Sequence, residues 1–284
     1  MKILIAGNLG MLGSDLMSAA VAHHEVLGVD RPGTDITDRT QCLGLVRDFR
    51  PDVVINAAAL TQVDYCESHE EEALLINGQG AGNLAEATSA VDALLVHYST
   101  DYVFDGLKIG AYLEEDPPCP VSAYGRSKLR GEELVRLHGR AHLILRTAWL
   151  FGNNGANFIR TIVEAARKGQ PLRVVNDQRG SPTYSHDLAA YTLQMIEAGC
   201  GGIYHLTNSG SCTWYELSKC VLQWSGLNGV ELKPTTTAEI RRPAPRPANS
   251  VLANARLERE GFRPMRPWQE AAREYVTLLR RGPS

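Results

Sequence analysis

The opening of the chain constrains its fold more than any later stretch. After Lys2, residues 3–6 are apolar and mostly branched, as a buried strand over 2–6 requires. Gly7, Gly10 and Gly13 follow in a G-x-x-G-x-x-G spacing, and helical periodicity then runs to about residue 22. A strand that enters a helix through such a loop starts a β-α-β unit, whose crossover brings the next strand alongside in parallel. Without side chains, the glycines let the backbone approach a pyrophosphate and let strand and helix pack closely, while the helix N-terminus attracts the anion. The order of strand, glycine loop and helix therefore predicts a dinucleotide site. A second strand, over residues 25–30, ends in Asp30. A carboxylate there accepts hydrogen bonds from an adenosine ribose, which favours NAD, whereas the adjoining Arg31 can take a 2′-phosphate, which favours NADP. The two signals oppose each other, so the expected cofactor is NADPH or NADH.

The same rhythm continues. A helix over about 38–49 precedes a buried strand over 53–59, whose small terminal residues leave room for a cofactor. Residues 70–90 read as one helix in which Gly78, Gly80 and Gly82 imply close packing. A strand over 93–101 ends in hydroxyls, a helix runs from 127 to about 137, and a strand covers 142–149. Strands alternating with helices predict an α/β fold, a Rossmann-type doubly wound parallel sheet. Beyond about residue 151 the rhythm loosens into helices near 157–168, 187–198, 214–224 and 267–280, short strands at 172–175 and 203–206, and a turn-rich stretch at 177–183. The expected division is a dinucleotide-binding domain over 1–150. Residues 151–284 would form a smaller, mixed, mainly substrate-binding lobe, with some segments returning to the first domain.

Charge and cysteine usage narrow the function classes. With 29 basic and 32 acidic residues the net charge is −3, which offers nucleic acid no electrostatic footprint. No run approaches the roughly 18 consecutive apolar residues of a membrane span, and the start carries no apolar leader, so a cytoplasmic protein is expected. The six cysteines show no C-x-x-C pairing, which argues against disulfides and zinc. Basic residues gather late, at Arg241, Arg242 and Arg246, either as an anion site or as a solvated loop.

Tyr124 and Lys128 lie four apart and share a helix face. A phenol gives up its proton near pH 10, and a neighbouring ammonium favours the phenolate, so Lys128 is expected to sharpen Tyr124 as a proton donor. A second pair, Tyr215 and Lys219, has the same spacing but no hydroxyl-rich strand end upstream. Apolar residues alternate along its helix, and it reads as structural. The first pair follows the strand that ends in Thr100 and Asp101. Ligands lie beyond the carboxyl ends of such strands, where Thr100 can hold a carbonyl oxygen.

Gly7, Gly10 and Gly13, Asn56-Ala57-Ala58-Ala59, Thr100 and Tyr124-x-x-x-Lys128 together resemble the extended short-chain dehydrogenase/reductase superfamily. Longer strings resemble the dTDP-4-dehydrorhamnose reductase family within it. They are residues 56–64 (NAAALTQVD), 99–106 (STDYVFDG), 146–149 (RTAW), 176–183 (NDQRGSPT) and 246–250 (RPANS). They span nearly the whole chain. The resemblance implies reduction of a nucleotide-sugar C4 ketone by NAD(P)H. Tyr124 would be the proton donor, Lys128 its electrostatic partner and ribose ligand, and Thr100 the hydroxyl on the carbonyl. It places Met11, Leu12, Asp30, Ala58, Ala59, Thr61 and Tyr98 on the cofactor, and Asp101 and Trp149 on the substrate, with Arg246 facing the diphosphate or serving the fold. Some relatives form homodimers around magnesium held by glutamates. The matching positions here are Asp15 and His186, imidazole suits magnesium poorly, and no metal site is expected; a homodimer is left open. Two rivals stand: an epimerase or dehydratase of the same superfamily, and a non-catalytic protein resembling the regulatory subunit of methionine adenosyltransferase.

Overall fold

A computed structural model describes residues 1–281. Five strands, β1 (Lys2–Ala6), β2 (Glu25–Val29), β3 (Val53–Asn56), β4 (Leu94–Thr100) and β5 (His142–Thr147), lie in the order β2-β1-β3-β4-β5, and the strand Gly202–His205 is added beyond β5. Every neighbouring pair is parallel. The interior strands are apolar on both faces because helices cover both. Ile3 and Ile5 of β1 join one buried cluster with Leu12, Leu16, Leu188 and Leu193, while Leu4 between them joins another with Val46, Val54, Leu84 and Val135. That alternation is the pleat of the strand.

The strand order reverses beside β1: the chain steps outward to β2, then crosses back to build β3 on the other side. The two connections diverge there and leave a crevice beyond the carboxyl ends of β1 and β3. The glycine loop and residues 57–61 form its walls.

The structure departs from the sequence reading at several boundaries. The third strand stops at Asn56. The helix expected over 70–90 is three pieces, Glu70–Ala73, a π-helical segment Leu74–Gln79 and Gly80–Ser89. Its glycines do mark close packing, since a Cβ on Gly80 would stand 2.7 Å from Ile36 Cδ1. The helix bearing Tyr124 begins at Ala123 rather than 127, because the Ser122 hydroxyl accepts from the Gly125 amide at 3.1 Å and caps it. β5 ends at Thr147, and Trp149 turns the chain with φ of 47° into a short strand, Leu150–Phe151, which pairs with Thr183–Tyr184.

The later residues build a second core around Phe151, Ile159, Tyr184, Leu217, Val221 and Tyr275. Two short ladders edge it: Arg179–Gly180 with Cys212–Thr213, and Leu172–Val175 with Leu232–Thr235. Two segments go back to the parallel sheet, the strand Gly202–His205 and the helix Ser185–Glu197, which packs against the helix Met11–Ala20. No helix among the described residues is long and apolar enough to cross a membrane.

Candidate active site

Gly7 leaves β1 with φ of 80°, a conformation costly for any side chain, and its amide donates to Val29 O at 2.8 Å. A Cβ on Gly13 would stand 1.9 Å from Gly7 O, so the helix can begin this close to the strand only with glycine there. The first amides of Met11–Ala20 have no acceptor within the helix and no capping side chain at Gly10. Asp30 locks the loop: its carboxylate accepts from the Leu9 amide at 3.1 Å and from the Arg31 amide at 2.8 Å. Arg31 is exposed at the mouth of a cavity of about 230 Å³ lined also by Gly7, Gly10, Asp30, Ile36 and Ala58. Asn56 shapes its far wall by accepting from the Ala58 amide at 3.1 Å. A cradle with no room for side chains, open amides at a helix start and a carboxylate at the rim fit the adenosine diphosphate half of a dinucleotide.

Through Gly10 and residues 57–59 this cavity adjoins a cleft of about 440 Å³. Met11, Leu12, Ala58, Ala59, Thr61, Tyr98, Thr100, Asp101, Tyr124, Lys128 and Trp149 all line it. Sequence-predicted residues from five separate stretches therefore converge on one space. Tyr98 presents its ring there, for its hydroxyl is paired with Thr192 at 2.7 Å. The Thr100 hydroxyl donates to Asp101 at 2.9 Å and must turn to reach a ligand carbonyl.

Burial dominates the electrostatics. Tyr124, edge-on to Tyr102 with ring centroids 5.6 Å apart, has its pKa raised by burial, with the Thr100 hydroxyl opposing. The expectation that Lys128 lowers it is not met: desolvation outweighs any help from the ammonium. Burial also brings Lys128 down to about 8, with Glu132 opposing. Asp101, 2% exposed and with Oδ2 unpartnered, is pushed up by burial to about 6.

Three contributors escaped the sequence reading. Trp214 stacks on Trp149 with centroids 3.5 Å apart and planes 4° off parallel, and the pair makes one wall of the cleft. Tyr102 lines the cleft beside Tyr124. Asn77, in the π-helical segment, accepts from the Leu60 amide at 2.8 Å and donates to Leu60 O and to Ser127 Oγ, both at 2.9 Å. It thereby ties the loop after β3 to the helix bearing Tyr124. A lone buried asparagine in a helix gives no pattern to read, though its place among three glycines was a signal of unusual packing.

Other candidates lie elsewhere. Arg246 does not line the cleft; its guanidinium grips Asp64 with two bonds of 2.9 and 2.8 Å behind Tyr102. Tyr215 packs partly against the second core and Lys219 is exposed, and neither lines this cleft. Asp15 accepts from the Ser185 hydroxyl, and no cluster of metal-ligating side chains occurs among the described residues.

Comparison with known proteins shows what the chain as a whole is similar to. The family model described as RmlD substrate binding domain matches residues 1–281. The spore coat polysaccharide biosynthesis protein SpsK of Bacillus subtilis is 42% identical over 276 residues, covering 97% of this chain and 96% of that protein. A dTDP-4-dehydrorhamnose reductase of Burkholderia thailandensis is 39% identical, covering 91% and 92%. A crystal structure of dTDP-4-dehydrorhamnose reductase from Bacillus anthracis in complex with NADP superposes with a TM-score of 0.95 at 35% identity, covering 98% of this chain and 99% of that one. Matched from end to end by that model, and sharing sequence and shape with these reductases over nearly its full length, the chain belongs to the dTDP-4-dehydrorhamnose reductase family within the extended short-chain dehydrogenase/reductase superfamily.

Proposed function

We propose that this protein reduces the C4 ketone of dTDP-4-dehydro-L-rhamnose to the alcohol, with NADPH or NADH as reductant. The observation that carries this reading is the convergence of Thr100, Tyr124 and Lys128 on a single cleft that runs on into the dinucleotide cradle. A bound reduced nicotinamide supplies the hydride. Thr100 turns its hydroxyl from Asp101 to the carbonyl oxygen and holds it. Tyr124 gives its proton to that oxygen as negative charge develops there, and Lys128, as an ammonium, stabilises the phenolate left behind. The raised pKa of Tyr124 keeps the phenol protonated but makes it a weaker acid, so its donation depends on the negative charge developing on the carbonyl oxygen and on the Lys128 ammonium. Asp101 faces the sugar hydroxyls, and the Trp149–Trp214 wall offers an apolar surface to the ring or base.

Y124F should lower kcat by at least about 100-fold, the usual worth of a positioned acid, while leaving NADH affinity within about two-fold. The check is loss of reduced-nicotinamide absorbance with dTDP- and UDP-linked 4-keto sugars. An epimerase or dehydratase would show no net cofactor consumption, and near-normal turnover by Y124F would remove Tyr124 from the mechanism.

A further inference from the structure

We propose that Gly180 and Trp214 are positioning residues: borne on one two-stranded ladder, they form a seat that holds the Trp149 indole in place as a wall of the cleft. The inference rests on the reading above, in which the cleft takes a nucleotide sugar.

The wall begins in a backbone turn that its own residue disfavours. Trp149 leaves β5 with φ of 47°, a left-handed conformation costly for a bulky side chain. The stretch 179–184 holds it twice. The backbone is fixed by the Thr183 amide, which donates to Trp149 O at 3.3 Å, and by the pairing of Leu150–Phe151 with Thr183–Tyr184. The ring is bounded by Gly180, where a Cβ would stand 2.3 Å from Cε2 and 2.5 Å from Nε1 of the indole. Gly180 does not have the positive φ that would call for glycine on backbone grounds. Its missing side chain is therefore explained by the room it leaves for Trp149. The Trp214 ring covers one face of the indole, with centroids 3.5 Å apart. Gly180 pairs with Cys212 and Arg179 with Thr213, so both sides of the seat spring from facing strands of one ladder. Thr213 and Glu216 form a capping box at the start of the helix Trp214–Ser225, and the Arg179 guanidinium reaches Glu216 at 3.2 Å, which ties that helix start to the strand bearing Gly180. Phe158 backs Trp214 with ring centroids 4.3 Å apart.

Core packing alone does not ask for this arrangement. Trp149 and Trp214 are only partly buried and both line the cleft, so the stack borders ligand space. A bulky residue stays in a disfavoured backbone conformation only where its surroundings over-determine it, and such places cluster at active sites and ligand clamps. Here the surroundings are a ladder, a capped helix start and an absent side chain, all converging on one ring. A ring fixed in advance spares the ligand the entropy of ordering it. The seat thus preorganises the wall against which a sugar nucleotide is placed for Thr100 and Tyr124.

In G180A the new methyl takes the place of the indole. KM for dTDP-linked 4-keto sugars should rise about ten-fold, with kcat changing less and NADH affinity within about two-fold of the parent. Intrinsic tryptophan emission should move to longer wavelength as Trp149 meets more water. Beside W149A the methyl has room, so there G180A should add less than about two-fold to KM and no emission shift. A glycine that merely served the fold would act the same with or without the indole. Parental KM and emission in folded G180A, or a G180A effect undiminished beside W149A, overturns the proposal. Should G180A not fold, W214L opens the seat from the stacked face: a rise in KM that shrinks beside W149A supports the proposal, and a parental KM or an undiminished rise overturns it. The emission shift needs no turnover, so it supports the seat even if the parent reduces no 4-keto sugar, an outcome that would count against the catalytic reading alone.

Discussion

Lys128 and Asp101 feel one force with opposite signs. Loss of water penalises whichever form is charged, so burial lowers the lysine to about 8 and raises the carboxyl to about 6. Asp101 then makes stability depend on pH. As pH falls through about 6 the folded carboxyl takes up its proton, whereas the unfolded one waits until near 3.8. The folded state binds more protons across that window, so it gains stability as pH falls and carries a penalty, of order 2–3 kcal/mol, at neutral pH. D101N keeps an acceptor for Thr100 and removes the charge. It should unfold roughly 5 °C higher than the parent at pH 7, with the gain shrinking toward pH 4, and should reduce substrate poorly. Thermal unfolding followed by circular dichroism across pH checks this, and a variant less stable than the parent at pH 7 contradicts it. That Tyr124, Lys128 and Thr100 would meet was legible because a spacing and a strand end announce it, and all three line one cleft. Their acid strengths were not, since desolvation depends on neighbours the spacing does not name.

At the level of elements, the glycine loop and the helix behind it act as one part. G13A would drive a methyl into Gly7 O, 1.9 Å from the ideal Cβ, so the helix start must move outward and carry its open amides with it. NADH binding, measured by fluorescence titration, should weaken by at least about ten-fold, and stability should drop by about 1–3 kcal/mol; binding at parental affinity would mean the loop does not cradle a pyrophosphate. The strands of the sheet were legible as apolar, branched runs because they are buried on both faces. The π-helical segment was not. Helical periodicity continues through residues 74–79, and the wider turn that lets Asn77 reach Leu60 and Ser127 is set by packing against the neighbouring helix. The two-residue strands of the second core were equally hidden, being too short for any alternation to register.

Across the whole molecule, residues of the parallel-sheet core and residues packed on the second core wall the cleft, and two contacts tie distant segments of the chain together around it. One is the Trp149–Trp214 stack. The other is Asp64, which accepts from the Ala244 amide at 3.2 Å and from both arms of Arg246, fastening the segment 241–249 over the loop after β3. The guanidinium holds the Asp64 carboxyl below its usual range. D64A should free that segment and leave a mostly buried guanidinium unpaired. The KM for the sugar nucleotide should rise several-fold with NADH affinity unchanged, and steady-state kinetics read both. Equal weakening of cofactor and substrate would show that the tie supports the whole crevice.

The sequence by itself determined the parallel α/β class, the tight glycine turn from strand to helix, and the placing of Tyr124 and Lys128 on one helix with Thr100 at a strand end, because each rests on local rules of periodicity, glycine sterics and spacing. Tertiary structure alone decided that Arg246 binds Asp64 while Trp214 joins the cleft, that burial sets the acidity of Tyr124, and that Glu132 pairs with Arg146 and Ser99. Those outcomes depend on which surfaces meet and how much water they exclude, and groups far apart along the chain acquire that relation only when it is folded.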